Sequence, residues 1–301
     1  MKILIGSYNK NVYELIIKNN KVNKTNVYLE ASKPSYLMNL NGLSYIYEKD
    51  NKQYIKIEND DILLNEKSCH ISYDKTNNLV YSSHYHDGIL KILSKDKNHW
   101  DVVNTLSYTP HSHIHYAEYI PSINKVGVCD LGDNKFYLYD VKNKELNLSV
   151  LYSFKNNEGP RHFTYNKDLP IIYIINELTP SVSVLEFSNN KLNLLQTINL
   201  SIGAGSAIRI SKDNKFLYAA VRDSNYIFVF EIEKNGLLKV IQKIHTNGDH
   251  PRDFNLIDDD KYLLVANMKS DNLSLYSINN GKLTLEDYNY NLDRGASIIS
   301  I

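Results

Sequence analysis

GPRHFTYN at residues 159–166, AGSAIRIS at 204–211 and HPRDFNLI at 250–257 share one pattern: a Pro or Gly anchor opens a short run of strand-forming residues. Four further segments follow it, KPSYLMN at 33–39, KSCHISYD at 67–74, TPHSHIHY at 109–116 and RGASIIS at 294–300. Their aligned anchors are Pro34, Ser68, His111, Pro160, Gly205, Pro251 and Gly295, with spacings of 34, 43, 49, 45, 46 and 44 residues. A period in the forties built from short strands marks the blades of a β-propeller.

The segments between anchors have a common anatomy. The turns NKDLP, SKDNK and DDDK precede second strands IIYIIN, FLYAAV and YLLVAN. Third and fourth strands follow, as in SVSVLEF and KLNLLQTI or YIFVFEI and LLKVIQKI. Alternation and β-branched or aromatic richness favour strands, and no window carries a capped helical stripe. There is no linker, low-complexity tract or charge block, so one domain is expected over 1–301. The chain stops after its seventh anchor strand, and ILIGSYNKNVYELIIKNNKV at 3–22 supplies second, third and fourth strands with no anchor ahead of them. Pairing the two ends in one shared blade removes the open edges of a partial ring. The expected fold is all-β, a seven-bladed β-propeller whose last blade is closed by N- and C-terminal strands.

Lys+Arg and Asp+Glu each total 34, so the formal net charge is zero and the strong basic field of a nucleic-acid binder is missing. The start, MKILIGSYNK, has no long apolar core of a secretory signal, and no stretch approaches a membrane span. Two cysteines, Cys69 and Cys129, do not make a disulfide framework. A cytoplasmic protein is expected, with neither nucleic acid nor membrane as partner.

In a propeller the innermost strand of each blade lines the central channel, and its start lies beside the end of the antiparallel second strand. Two rings of residues should therefore meet at one mouth. The first follows the anchors and includes Cys69 and His70, Ser112 and His113, Arg161 and His162, and Arg252 and Asp253. The second falls about 17 residues after each anchor and reads Glu48, Tyr85, Asp130, Glu177, Arg222, Met268 and, from the N-terminus, Tyr8. Such a concentration of charge implies water, mutual pairing or a polar ligand.

Arg161, His162 and Glu177 belong to one blade. A guanidinium holds a phosphate or carboxylate by a fork of hydrogen bonds, and a histidine near a carboxylate is a candidate general base. The plainer reading is an ion pair clipping two strands together. Arg222 and Arg252, on the next two blades, make an anionic ligand the natural expectation. Arg209, two residues beyond the first ring, would line the channel wall or, in the plainer reading, pair with an acid of an adjacent blade. On a strand, His111, His113 and His115 would share one face, a spacing that could serve a metal, but the neighbouring repeats show no matching acidic set. Asp130 and Asp133 flank a tight Gly turn, where Asp can bond local backbone, the reading preferred for Asp133.

GPRHFTYNKDLPIIYIINE, SKDNKFLYAAVRDSNYIFVFEI and GDHPRDFNLIDDDKYLLVANMKSDNLSLY resemble the lactonase family of seven-bladed propellers, with weaker agreement at IGSY, KPSYL, CHISYD…HYHDG and PHSH…CDLGDN. That family includes propeller-type bacterial 6-phosphogluconolactonases and fungal muconate-lactonizing enzymes. The usual SPDG-type turns are NKDLP and SKDN here. The resemblance implies an intracellular enzyme that opens a lactone without a cofactor or required metal. It carries the active His, two Arg and Glu onto His111 or His113, Arg161, Arg222 and Glu177. The expected substrate is a phosphorylated sugar lactone, 6-phosphogluconolactone. His113 or His162 would be general base with Glu177 orienting or sharing that role, and Arg161 and Arg222 would hold the oxyanion or substrate anion. His111, Tyr85, Asp130 and Arg252 would bind substrate, Arg252 as a candidate phosphate ligand. The alternatives are another lactone reaction, such as muconate lactonisation, and a non-catalytic interaction scaffold.

Overall fold

The computed structural model describes residues 2–155, 157–200 and 202–301. Among them all regular structure is β, 28 strands in seven four-stranded antiparallel sheets. Blades one to six span 37–64, 70–107, 114–153, 160–199, 204–245 and 251–291, each with its four strands in chain order from the axis outward. Blade seven joins Gly295–Ser300 to Ile3–Ser7, Lys10–Lys18 and Lys21–Ser32. The closing pair runs antiparallel with Ile3 opposite Ser300 and Ile5 opposite Ile298. Lys2 and Ile301 exchange both backbone hydrogen bonds at 2.9 Å.

Each inner strand touches the inner strand of the next blade all the way round, so the ring is closed. Seven apolar cores result, one in each gap between blades. Ile175, Val184, Ile208 and Val221 fill the gap between blades four and five. The gap between blades seven and one is the thinnest, with only Leu4, Val12 and Leu37 fully buried among the described residues. The tyrosine abundance has a role here. Tyr173 and Tyr218 occupy equivalent second-strand positions, and each donates its hydroxyl to the outer hairpin of the following blade, at Gly236 and Gly281, 2.9 and 3.0 Å away. A tyrosine thus fills the core with its ring and satisfies a neighbour's carbonyl with its tip.

The inner strands carry a repeated β-bulge that decides what reaches the channel. Pro160 pairs with Asn176 and His162 with Ile175, leaving Arg161 as the extra residue. Pro251, Arg252 and Asp253 repeat this against Asn267 and Ala266. A bulge bends the strand and re-aims a side chain, here toward the axis. In blade three Ile114 pairs with Asp130 and Tyr116 with Cys129, so the extra residue is His115. The anchor of blade three is therefore Ile114, three residues beyond His111, and the spacings become 34, 46, 46, 45, 46 and 44. Thr109 and Ser112 close a turn ahead of the strand, with the Ser112 amide donating to the Thr109 carbonyl at 3.0 Å, so His111 lies in that turn and not on the strand. The amide of Leu131 donates to the His113 carbonyl at 3.0 Å, as Glu177 does to Gly159 at 2.7 Å and Met268 to His250 at 3.0 Å. Leu131, not Asp130, is thus the second-ring residue of blade three.

Candidate active site

Ser35, Cys69, His115, Arg161, Arg252 and Ala296, the residues next after the anchors, line the narrow floor of one channel mouth. Above them opens a cavity of about 350 Å³, bounded by Tyr8, Lys33, Glu48, Lys67, Tyr85 and Glu177 together with His115 and Arg252.

Glu177 is the pivot. Arg161 Nε and Arg222 Nη2 each lie 2.8 Å from its Oε2. Its Oε1 has no protein donor among the described residues. The Arg161 side chain is 2% exposed and that of Glu177 21% exposed, so the pair sits where the cavity meets the protein interior. Burial would raise the Glu177 carboxyl, but Arg161 and Arg222, with Arg252 behind them, outweigh it and hold it below the usual carboxylate range. Burial, with the Arg252 charge adding and Glu177 opposing, pushes Arg161 down to about 9, which still leaves it charged at neutral pH. Arg161 Nη1 also donates to the Ser206 carbonyl of blade five. Ser206 Oγ in turn donates to the Arg252 carbonyl of blade six at 2.8 Å. Arg222 Nη2 donates to the Gly205 carbonyl at 3.3 Å. Arg252 Nε donates to the Tyr8 hydroxyl at 3.0 Å, bringing the N-terminal strand to the same mouth.

The expected histidines are redistributed. His162 Nε2 lies 3.1 Å from Arg161 Nη1. A guanidinium only donates, so the His162 lone pair is already taken and the ring is not free to act as a base, contrary to the sequence expectation. Burial, reinforced by Arg161, holds His162 well below its ordinary value. His113 Nδ1 donates to the Tyr85 carbonyl at 2.8 Å, and its ring stacks on Tyr85 with centroids 4.4 Å apart. It buttresses the rim instead of lining the cavity. His111 is exposed on the turn before the strand, outside the cavity lining, which removes it from the substrate-binding set. The turn also breaks the shared face expected of His111, His113 and His115, since the strand begins only at Ile114. Asp130 Oδ1 accepts the amides of His113 and Asp133 at 2.9 and 3.0 Å, and it is buried: it fixes the turn and does not reach the cavity. Tyr85 and Arg252 line the cavity.

His115 takes the place expected of His113. It lines both floor and cavity, and its ring lies 5.0 Å from that of His162. Burial, with Arg161 and Arg252 adding, keeps it well below its ordinary value and hence neutral. A signal for it was present in the doublets Ser35-Tyr36, Cys69-His70 and Arg161-His162, which align with His115-Tyr116 and not with His113-Ile114. Below the floor, Tyr36, His70, Tyr116 and His162 close the channel waist, with ring centroids 3.9 to 4.6 Å apart along the series. Arg209 meets Asp253 of the next blade at 2.9 Å, the plainer of its two readings, at the opposite mouth. Cys69 is half-buried on the floor of the mouth, and burial pushes its thiol up to about 11, so it offers little thiolate as a nucleophile. No group of three or more His, Cys, Asp or Glu side chains among the described residues is placed to hold a metal ion.

Comparison with known proteins agrees with this architecture. A 6-phosphogluconolactonase of Bacillus subtilis is 31% identical over 238 residues, covering 72% of this chain and 68% of that protein. An uncharacterized protein of Lactococcus lactis is 31% identical over 243 residues, covering 74% and 71%. A crystal structure of a Lactobacillus plantarum protein superposes with a TM-score of 0.91 at 25% identity over 99% of both chains. The periplasmic gluconolactonase of Pseudomonas aeruginosa shares the fold, with a TM-score of 0.86 at 19% identity over 99% of this chain and 98% of that one. The family described as "Lactonase, 7-bladed beta-propeller" matches residues 2–299, and the chain belongs to that family.

Proposed function

We propose that this protein hydrolyses a phosphorylated sugar lactone, 6-phosphogluconolactone to 6-phosphogluconate. The observation that carries the reading is the Glu177 carboxylate, its Oε2 held between Arg161 and Arg222 and its Oε1 without a protein donor, on the wall of a cavity that also holds Arg252 and His115. Three guanidiniums around one carboxylate leave the mouth net positive, which suits an anionic substrate and a carboxylate product. The name of the Bacillus subtilis relative supports the choice of lactone.

The chemistry asks for three things: a water aimed at the lactone carbonyl, a proton acceptor, and donors for the oxyanion. Glu177 Oε1 takes the proton as the water oxygen bonds to the carbonyl carbon. Arg161 and Arg252 supply positive charge to the carbonyl oxygen as it becomes an oxyanion. The ring C–O bond then breaks, and the ring oxygen takes the proton back from Glu177. The new carboxylic acid ionises at neutral pH, so one proton is released per turnover. A carboxylate held below its usual range is a weak base, and that is enough for an intrinsically labile ester whose attacking water is fixed in place. His115, neutral and on the floor, orients that water.

The test is hydrolysis of freshly prepared 6-phosphogluconolactone, with the spontaneous rate subtracted. Enzyme-dependent ring opening at a rate proportional to protein concentration is expected. Hydrolysis no faster than buffer would overturn the reading.

A further inference from the structure

The residue just before each anchor forms a ring of its own at the lip of the mouth. With the blade-three register in place, its members are Lys33, Lys67, His113, Gly159, Ala204, His250 and Arg294. The carbonyls of four of them, His113, Gly159, His250 and Arg294, accept the amide of the second-ring residue of the same blade, so the positions are structurally equivalent. Lys and Arg occur at this position only in blades seven, one and two, as Arg294, Lys33 and Lys67. Those three blades are consecutive across the closure. In a ring of seven, blade one lies opposite the boundary between blades four and five, where Glu177 meets Arg222.

We infer that this basic arc is the recognition site for the phosphate of the substrate, and that it makes the enzyme select phosphorylated over unphosphorylated sugar lactones. The inference rests on the lactone reading above. The lactone carbonyl and the 6-phosphate are the two ends of the molecule. With the carbonyl at Arg161 and Glu177, the phosphate extends across the cavity toward blade one. Lys33 and Lys67 are both on the cavity lining there. Glu48 lies between them, 2.6 Å from Lys33 Nζ and 4.0 Å from Lys67 Nζ, and draws the two ammonium groups together. One carboxylate shared by two ammoniums leaves the group net positive, ready for a dianion. Arg294 extends the arc, its guanidinium 6.0 Å from the ring of Tyr8, whose other neighbour is Arg252 at 5.8 Å. Lys33 and Arg294 also hold left-handed backbone, φ 48° and 44°. That conformation is costly for a side chain with a Cβ, and glycine would adopt it freely, as Gly159 does at φ 67°.

The experiment compares binding of 6-phosphogluconate and gluconate by calorimetry, alongside turnover of the two corresponding lactones. Wild-type protein is expected to bind 6-phosphogluconate at least about tenfold more tightly than gluconate, with the preference shrinking as salt is raised. In Lys33→Ala/Lys67→Ala the ratio of the two affinities should fall by about tenfold, and Lys33→Arg/Lys67→Arg should restore it. No preference in the wild type, or a preference untouched by the alanine pair, overturns the inference. The two readings fail separately. Turnover of both lactones with no discrimination removes the phosphate arc and leaves the lactonase. Discrimination between the two acids with no turnover of either lactone removes the lactonase and leaves the arc.

Discussion

Arg161 Nε lies 2.8 Å from Glu177 Oε2, the extra residue of one β-bulge meeting the residue just past the end of the partner strand. The same bulge geometry aims Arg252 and His115 at the same mouth, so a single backbone device, repeated, assembles the site.

Removing either arginine should cost catalysis more than fold. Arg161→Ala is expected to lower kcat/KM by roughly 10²–10³, the range for a lost oxyanion contact, and Arg222→Ala, which frees the Glu177 carboxylate to move, by about tenfold or more. The double variant should lose less than the product of the two, because both act on one carboxylate. If the pair only clips blades four and five together, the variants will melt earlier while the folded fraction keeps its specific activity.

The two histidines of blade three separate the observed register from the expected one. His115→Phe is expected to reduce kcat/KM at least about tenfold. His113→Phe, which loses the hydrogen bond to Tyr85, is expected to act mainly on stability, at about 1 kcal/mol. The reverse ranking of activities would place the functional imidazole at His113.

Glu177 also sets the acid limb. Its folded carboxyl is held below the ordinary value, so the unfolded chain takes up the proton first as pH falls. The stability this group contributes is fully present above the ordinary carboxylate value near 4.5 and is lost as pH drops through its lowered folded value. Glu177→Gln should therefore flatten the fall of melting temperature below about pH 4.5. An unchanged acid limb in that variant would show that the arginines do not depress this carboxyl.

The ring closure should be sensitive at Gly6. A Cβ there would lie 2.2 Å from the Pro34 carbonyl oxygen, in the thinnest of the seven gaps. Gly6→Ala is expected to destabilise by about 1–3 kcal/mol, seen as a lower melting temperature. Faster amide exchange in Ile3–Ser7 and Gly295–Ser300 than in other inner strands should accompany it. Wild-type melting in this variant would mean the seam is slack enough to admit a methyl group.

The blade count and the shared last blade were legible because they rest on period and on complementary ends, both properties of the sequence pattern. Arg161, Glu177, Arg222, Tyr85 and Arg252 were legible because four of the anchors fall in one register. His115 was not, since an alignment on the Pro and His of TPHSH sets the anchor three residues early, inside the Thr109–Ser112 turn. The fate of His162 was also hidden: adjacency to Arg161 in sequence says nothing about which nitrogen the guanidinium will occupy. The basic arc of Lys33, Lys67 and Arg294 needs the corrected register and the closed ring before its members line up.

The most direct measurement is single-turnover hydrolysis of 6-phosphogluconolactone by wild-type protein and Glu177→Gln, with the buffer rate subtracted and folding checked by circular dichroism. The wild type should open the ring well above background, and the glutamine variant should fall by roughly 10² or more while staying folded. Near-wild-type hydrolysis by Glu177→Gln would contradict the assignment of the proton acceptor and, with it, the site.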